Sequence, residues 1–196
     1  MIDQLRVRLC AHLPRRIEPI PGFRASAVLV PLLLRPAGPT LLLIERGEGL
    51  AAHAGQIAFP GGKLDPDDAD LVSCALREAE EEVALPRGAV EVLGVLDQVP
   101  TPSQFVITPV VGLVAEPPAL AAQAAEVAAM FEVSLASLAD PKHYEHQGVR
   151  EWMGIRYDMH AYHAGGRTIW GATARVLHQL LGLVDPRERE SAAPRS

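Results

Sequence analysis

Residues 59–85 read FPGGKLDPDDADLVSCALREAEEEVAL, and this stretch decides the fold. It joins the end of a short strand to a Gly61-Gly62 turn, an acidic connection and a helix expected from about Asp70 to Val83. Asp70 suits the N-cap, because its side chain can accept hydrogen bonds from first-turn N–H groups. Pro86 prevents the helix from continuing. The stretch therefore predicts a strand–turn–helix unit whose helix is rich in glutamate.

Three of these glutamates are predicted to share one patch of the helix surface. At about 100° of rotation per residue, Glu78, Glu81 and Glu82 stand at i, i+3 and i+4, with Arg77 beside them and Glu80 pointing elsewhere. Like charges this close repel one another, and a hard cation such as Mg²⁺ or Mn²⁺ would remove that penalty. The opposite stripe is apolar and is expected to face the core: Val72, Ala75, Leu76, Ala79 and Val83.

The glutamates alone would favour a solvated helix face, which is the ordinary role of a charged stretch. Gly61-Gly62 changes that interpretation, because a backbone without side chains can approach a ligand closely. A glycine pair that follows a strand and precedes a helix with three carboxylates predicts a site for a metal and a phosphate.

Residues 62–85 resemble the Nudix box, which reads Gly, five residues, Glu, seven residues, then Arg-Glu-(apolar)-x-Glu-Glu-x-Gly-(apolar). Residues 77–83 match its second half. The spacing from Gly62 to Arg77 is one residue longer, the earlier Glu is represented by Asp68 or a neighbour, and Ala84 replaces the glycine. The resemblance implies that Glu78, Glu81 and Glu82 hold Mg²⁺ or Mn²⁺. It also implies catalytic roles for three residues: Glu78 as a shared ligand and base, Glu81, and Arg77, which orients a glutamate.

The region before the box resembles coenzyme A pyrophosphatases within this family. Residues 41–46, Leu50, His53, 55–56 and 59–62 follow that subfamily's motif, although Ile44, Gly47 and Ala51 depart from it. Similarity extends over about residues 25–183. It implies hydrolysis of coenzyme A or its thioesters to 3′,5′-ADP and 4′-phosphopantetheine or its acyl form. The candidate substrate-binding residues are Arg46, His53, Gln56, Gly61, Gly62 and Lys63.

Ordinary structural roles are alternative explanations for several of these residues. His53 is as well explained by a hydrogen bond that fixes its loop, and Arg46 and Lys63 by solvated charges. Glu126 is a candidate distal carboxylate, although an exposed strand start explains it better. Trp170 fits packing better than an adenine platform. The spacing of four histidines matches no strong zinc motif: His143, His146, His160 and His163.

Two other functions are open on the sequence. One is a Nudix hydrolase for another nucleoside diphosphate, such as ADP-ribose or NADH. The other is a Nudix-fold binding or regulatory protein without turnover. The three retained glutamates argue against the second of these.

The rest of the chain is a series of strand-like runs broken by a few helices, which indicates an α+β fold. The resemblance makes this a Nudix-type α/β/α sandwich with a mixed sheet between helices. We expect a single Nudix hydrolase domain over residues 1–196, with a polar tail from about residue 186. Helices are predicted at about residues 2–13 and 172–184, and strands at 25–34, 40–45, 57–59, 90–96, 105–114, 126–133, 155–163 and 167–170.

Composition limits the partners. The net charge of −6 argues against a broad nucleic-acid or membrane-binding surface, so the expected partner is a small molecule. Cys10 and Cys74 form no disulfide framework or metal motif. The first residues lack the apolar core of a signal peptide, which predicts a cytoplasmic protein, with an organellar signal as the weaker alternative. Monomer and homodimer are both open.

Overall fold

The computed structural model describes residues 2–47 and 55–184, and its elements follow the predicted order. The helices are α1 (Ile2–Ala11), α2 (Leu71–Val83), α3 (Leu135–Leu138) and α4 (Gly171–Val184). The strands are β1 (Arg24–Leu33), β2 (Thr40–Arg46), β3 (Ile57–Ala58), β4 (Gly61–Lys63), β5 (Glu91–Val95), β6 (Val99–Pro100), β7 (Phe105–Val114), β8 (Val127–Ser134), β9 (Tyr144–Trp152), β10 (Ile155–Ala164) and β11 (Arg167–Trp170).

β1 lies at the centre of an eight-stranded mixed sheet. Along one edge it pairs in parallel with β7, from Arg24 opposite Phe105 to Leu33 opposite Val114. Along its other edge it pairs antiparallel with two strands in turn, first β4 and then β2. The β1–β2 pair is the predicted hairpin. Because β4 takes the first half of this edge, the glycine pair lies against the middle of the sheet.

Helices cover both faces of this sheet, which confirms the predicted α/β/α arrangement. In β1, Leu29 and Leu33 pack in the cluster that contains the apolar stripe of α2. Val30 and Leu32 face the other way and pack with α1 and α4. This alternation follows from the two-residue period of a strand buried on both faces.

The structure corrects several boundaries and adds three strands, β4, β6 and β9, and the short helix α3. The first helix ends at Ala11 rather than near residue 13. The Gly61-Gly62 segment, predicted as a turn, is strand β4, because its backbone pairs with β1. β9 was not predicted, since its side chains are mostly exposed and polar and lack apolar alternation. It joins the predicted β10–β11 hairpin in a separate three-stranded sheet.

Two predictions fall on residues outside the described ranges, namely the role of His53 and the polar tail from about residue 186. The single-domain assignment stays a prediction. Within residues 2–47 and 55–184, no helix has the length and apolar character needed to cross a membrane.

Candidate active site

Both ends of α2 are fixed by its own sequence. The Asp70 side chain accepts a hydrogen bond from the Ser73 N–H at 2.7 Å, as predicted for an N-cap. At the other end Ala84 has φ 54° and ψ 35°, a left-handed conformation that favours glycine. An alanine thus adopts this left-handed conformation at the position where the Nudix box has glycine.

Glu82 is the most buried of the glutamates, with 2% of its surface exposed. One carboxylate oxygen accepts a hydrogen bond from the Gly61 N–H at 2.9 Å. Burial raises the pKa of Glu82 to about 7, although the Gly61 N–H and the Arg46 guanidinium both act to lower it. Arg46 lies 3.9 Å from the other carboxylate oxygen. The folded protein therefore disfavours a negative charge at this position unless a cation is added.

Glu78 is partly buried and lies directly against β4. A Cβ atom added to Gly62 would overlap the Glu78 carboxyl group, so this position must be glycine for Glu78 to keep its place. Burial raises the pKa of Glu78, and the adjacent Arg77 guanidinium, 3.0 Å away, offsets part of that effect. Glu78 and Glu82 thus share one wall with two glycine residues whose backbone they contact.

Arg77 holds three acidic side chains and one carbonyl together. Its guanidinium donates two hydrogen bonds of 2.9 Å to Asp68, one of 2.9 Å to Glu81, and one of 3.2 Å to the Lys63 carbonyl. The bond to Arg77 holds the pKa of Asp68 well below its usual range. Asp68, the residue that stands in for the earlier glutamate of the box, therefore ties the acidic loop to α2.

The carboxylates separate into two groups. The Glu81 side chain is 58% exposed, pairs with Arg77 and does not line the main cavity. Glu126 does line it, one residue before β8, and its charge raises the pKa of both Glu78 and Glu82. The position of Glu126 in the sequence, far from α2, did not predict that it lies near Glu78 and Glu82. The pairing of β8 with β2 brings it to the site.

These residues line one cavity of about 760 Å³, within the range of small-molecule sites. Glu81 does not line the cavity. All the other predicted site residues that the structure describes do: Arg46, Gln56, Gly61, Gly62, Lys63, Arg77, Glu78 and Glu82. Most of the opposite wall, which comes from β9, β10 and the start of α4, was not predicted: Arg150, Trp152, Tyr157, Met159 and Arg175. Trp170 at the end of β11, for which packing was the preferred interpretation, is 48% exposed and also lines the cavity.

The fit to a metal rests on a small set of oxygens. Among the residues that the structure describes, no three His, Cys, Asp or Glu side chains converge as a ready metal cluster. Mg²⁺ needs no such cluster, since it usually binds through one or two carboxylates, substrate phosphate and water. The burial of Glu82 with a raised pKa, close to Glu78 and Glu126, fits a divalent cation, because a cation would offset that concentration of negative charge.

The four histidines considered for zinc have other partners. His143 hydrogen-bonds Ser137, His146 pairs with Asp158, and His163 pairs with Glu145. His160 contacts the Tyr144 hydroxyl and stacks on His178, and burial lowers its pKa to about 4. His146 and His163 are thus exposed ion-pair partners, whereas His160 packs against aromatic neighbours.

Known proteins share this fold and much of this sequence. The NUDIX domain family matches residues 23–156. The "Uncharacterized Nudix hydrolase NudL" of Yersinia pestis (strain Pestoides F) and of Yersinia pseudotuberculosis (serotype O:3, strain YPIII) are each 43% identical over 157 residues, which is 80% of this chain and 78% of theirs.

Two solved structures agree with this chain in fold alone. A Nudix hydrolase from M. smegmatis, RenU, has a TM-score of 0.55 and 19% identity, over 90% of this chain and 91% of its own. A MutT/nudix family protein from Enterococcus faecalis has a TM-score of 0.56 and 16% identity, over 94% of this chain and 70% of its own. The family match and the 43% identity to the NudL proteins show that the chain belongs to the Nudix family and is a hydrolase of phosphorus anhydrides.

Proposed function

We propose that this Nudix hydrolase cleaves the pyrophosphate bond of coenzyme A or its thioesters, releasing 3′,5′-ADP and 4′-phosphopantetheine or its acyl form. One observation carries the proposal. The residues ahead of the box that resemble the coenzyme A subfamily, Arg46, Gln56 and the Gly61-Gly62 pair, line the same cavity as Glu78 and Glu82. A substrate bound to those residues would have its diphosphate beside the carboxylates.

The charged residues around Glu78 and Glu82 favour binding of a diphosphate only when a cation is present. Glu78, Glu82 and Glu126 would repel phosphate oxygens, whereas Arg46 and Lys63 supply positive charge on the same side. Members of this family use divalent metal ions such as Mg²⁺ or Mn²⁺. We assign Glu78 and Glu82 as the first residues to hold such an ion, with Glu126 as a further carboxylate and Glu81 in a supporting position.

A divalent ion held by Glu78 and Glu82 would stabilise the negative charge that develops on the diphosphate. The protein's own groups then have separate tasks. Glu78 accepts a proton from the attacking water, because its partly buried carboxyl has a raised pKa and lies against Gly62. The Gly61 N–H donates a hydrogen bond to Glu82, and Arg77 positions Glu78 and Glu81 through ion pairs.

The test is a substrate comparison. The purified protein is incubated with Mg²⁺ or Mn²⁺ and, separately, with coenzyme A, ADP-ribose and NADH, and the products are identified by chromatography. We expect 3′,5′-ADP from coenzyme A. Cleavage of ADP-ribose or NADH with intact coenzyme A would refute the substrate while keeping the enzyme class. No cleavage in any sample would favour a binding role. A cytoplasmic location belongs to the same proposal.

A further inference from the structure

The wall of the cavity opposite the carboxylates carries positive charge and aromatic rings. Arg150 on β9 lies directly across from Tyr157 on β10 in the strand register. The guanidinium carbon of Arg175 on α4 is 5.1 Å from the centre of the Tyr157 ring. Both arginines line the cavity with Tyr157. One cation thus lies over the Tyr157 ring, and a second is the neighbour of Tyr157 across the β9–β10 pair.

Arg175 is placed by contacts that do not neutralise its charge. Its Nη1 lies 3.4 Å from the Pro100 carbonyl, a weak hydrogen bond for a group with five donors. Within residues 2–47 and 55–184, no carboxylate lies within 4.0 Å of Arg175 or of Arg150. Other arginines of the fold do have such partners: Arg6 with Glu91, Arg35 with Glu132, Arg77 with Asp68, and Arg87 with Glu80.

Burial of this cation is unfavourable in the free protein. Burial lowers the pKa of Arg175, whereas the paired Arg35 and Arg77 have raised pKa values because carboxylates accept their hydrogen bonds. A neutral side chain of similar length would fill the same space against Tyr157 without that penalty. A partly buried guanidinium that faces a ligand cavity is instead suited to binding an anionic group, which it can contact with two parallel hydrogen bonds.

The position of Arg175 is rigid relative to the carboxylate wall. Two residues before it, the Thr173 hydroxyl donates a hydrogen bond of 3.0 Å to the Ile57 carbonyl on β3. β3 leads within three residues to Gly61, whose N–H holds Glu82. Val176, the next residue of α4, is fully buried in the core cluster. The distance between the cation and the carboxylates is therefore set by the fold, as a site for a substrate of fixed length requires.

We propose that Arg175, supported by Arg150, binds a second phosphate group of the substrate, a phosphomonoester separate from the diphosphate that is cleaved. The inference rests on the proposed function, and it refines the substrate class to nucleoside diphosphate derivatives that carry an additional phosphate on the nucleoside. In coenzyme A this group is the 3′-phosphate. Tyr157 then serves as the surface on which the guanidinium is oriented.

Turnover of a matched pair of substrates tests the proposal. Coenzyme A and dephospho-coenzyme A differ only in the 3′-phosphate, and both contain the same diphosphate. For Arg175→Met, we expect kcat/KM for coenzyme A to fall roughly 10- to 100-fold, the range for a lost charge-assisted hydrogen bond. We expect kcat/KM for dephospho-coenzyme A to change less than about twofold, because its diphosphate contacts are untouched. An equal loss for both substrates, or no loss for either, overturns the proposal.

The matched control is Arg167→Met. The Arg167 guanidinium also lies over an aromatic ring, 4.2 Å from the Phe131 centroid, but it does not line the cavity. Its removal should leave the ratio of the two substrates unchanged. If Arg175→Met does not fold, Arg175→Lys decides, since lysine keeps the charge but lacks the planar fork. A selective loss for coenzyme A in that variant supports the proposal, and an unchanged ratio overturns it.

A binding measurement separates this inference from the proposed function. Calorimetric titrations of the metal-free protein with 3′,5′-ADP and with 5′-AMP need no turnover. We expect tighter binding of 3′,5′-ADP, and loss of that difference in Arg175→Met. If neither coenzyme A form is cleaved but this difference is found, the proposed reaction fails while the phosphate site stands. Equal affinities in the wild type overturn the site, whatever the protein hydrolyses.

Discussion

Replacement of Glu82 by glutamine should stabilise the metal-free protein at high pH. Glu82 is almost fully buried, and burial raises its pKa to about 7 from an ordinary value of 4.5. A glutamine of the same shape keeps an oxygen to accept the Gly61 N–H hydrogen bond but carries no charge. The variant therefore removes the cost of a buried carboxylate while leaving the contact between α2 and β4 in place.

The magnitude and its sign follow from these pKa values. A carboxyl group with a raised pKa in the folded state gives its full contribution to stability below pH 4.5, and the contribution is lost as pH rises towards 7. At about 1.4 kcal/mol per pH unit, the loss is about 3 kcal/mol. Glu82→Gln should thus match the wild type near pH 4.5 and exceed its unfolding free energy by about 3 kcal/mol at pH 8. For a chain of this size, that is a Tm difference of about 6 to 12 °C.

The assay is thermal or urea unfolding of both proteins in chelator at pH 4.5 and pH 8. Glu81→Gln is the control, because it removes a carboxylate from an exposed position one residue earlier in the same helix. Its effect should stay below about 1 kcal/mol at both pH values. A stability difference for Glu82→Gln that is the same at both pH values would refute the assignment of the cost to the buried charge.

Added Mg²⁺ should narrow the difference in stability between the two proteins. A ligand that binds only the folded state stabilises it, and a cation favours the ionised form of Glu82. At pH 8, millimolar Mg²⁺ should raise the wild-type Tm and leave that of Glu82→Gln nearly unchanged. The variant should also lose most turnover. An equal Mg²⁺ effect on both proteins would remove Glu82 from the metal site.

Three further changes test the site and its helix. Glu78→Gln should lower kcat about 100-fold or more while the protein stays folded, and near-normal turnover would exclude Glu78 as the base. Gly62→Ala should lower turnover roughly 100-fold, because its Cβ displaces the Glu78 carboxyl group, whereas Gly88→Ala, which meets only open space, should leave kinetics unaltered. Ala84→Gly should raise the unfolding free energy by about 0.5 to 1 kcal/mol by relieving the left-handed alanine, and a lower Tm would contradict that reasoning.

Local patterns were sufficient for the elements that build one side of the site. The spacing of residues 70–83 predicted α2 with its cap. The glycine pair predicted a backbone that can approach a ligand closely; in the structure the same pair lies against the carboxylates of Glu78 and Glu82. The shared patch of glutamates was less uniform than the helix geometry suggested, because β4 covers Glu82, leaves Glu78 at the cavity, and leaves Glu81 in solvent. Which glutamate is buried depends on a strand from outside the helix.

The opposite wall could not be predicted from spacing. Arg150, Tyr157 and Arg175 belong to three elements that are brought together by the pairing of β9 with β10 and by the packing of α4. Glu126 likewise reaches the cavity only through the β2–β8 pairing. Single charged residues in exposed or loop-like segments carry no periodic signal, so their meeting in space depends on tertiary structure.

The parallel pairing of β1 with β7 has a consequence for how the chain is made. Arg24–Leu33 is among its most apolar segments, yet the strand that completes its edge ends only at Val114. During synthesis β1 can pair along only one of its edges, that of its hairpin partner, until more than half of the chain has emerged. Pairings this distant in sequence form slowly, so refolding should be limited by this step and most prone to aggregation before it.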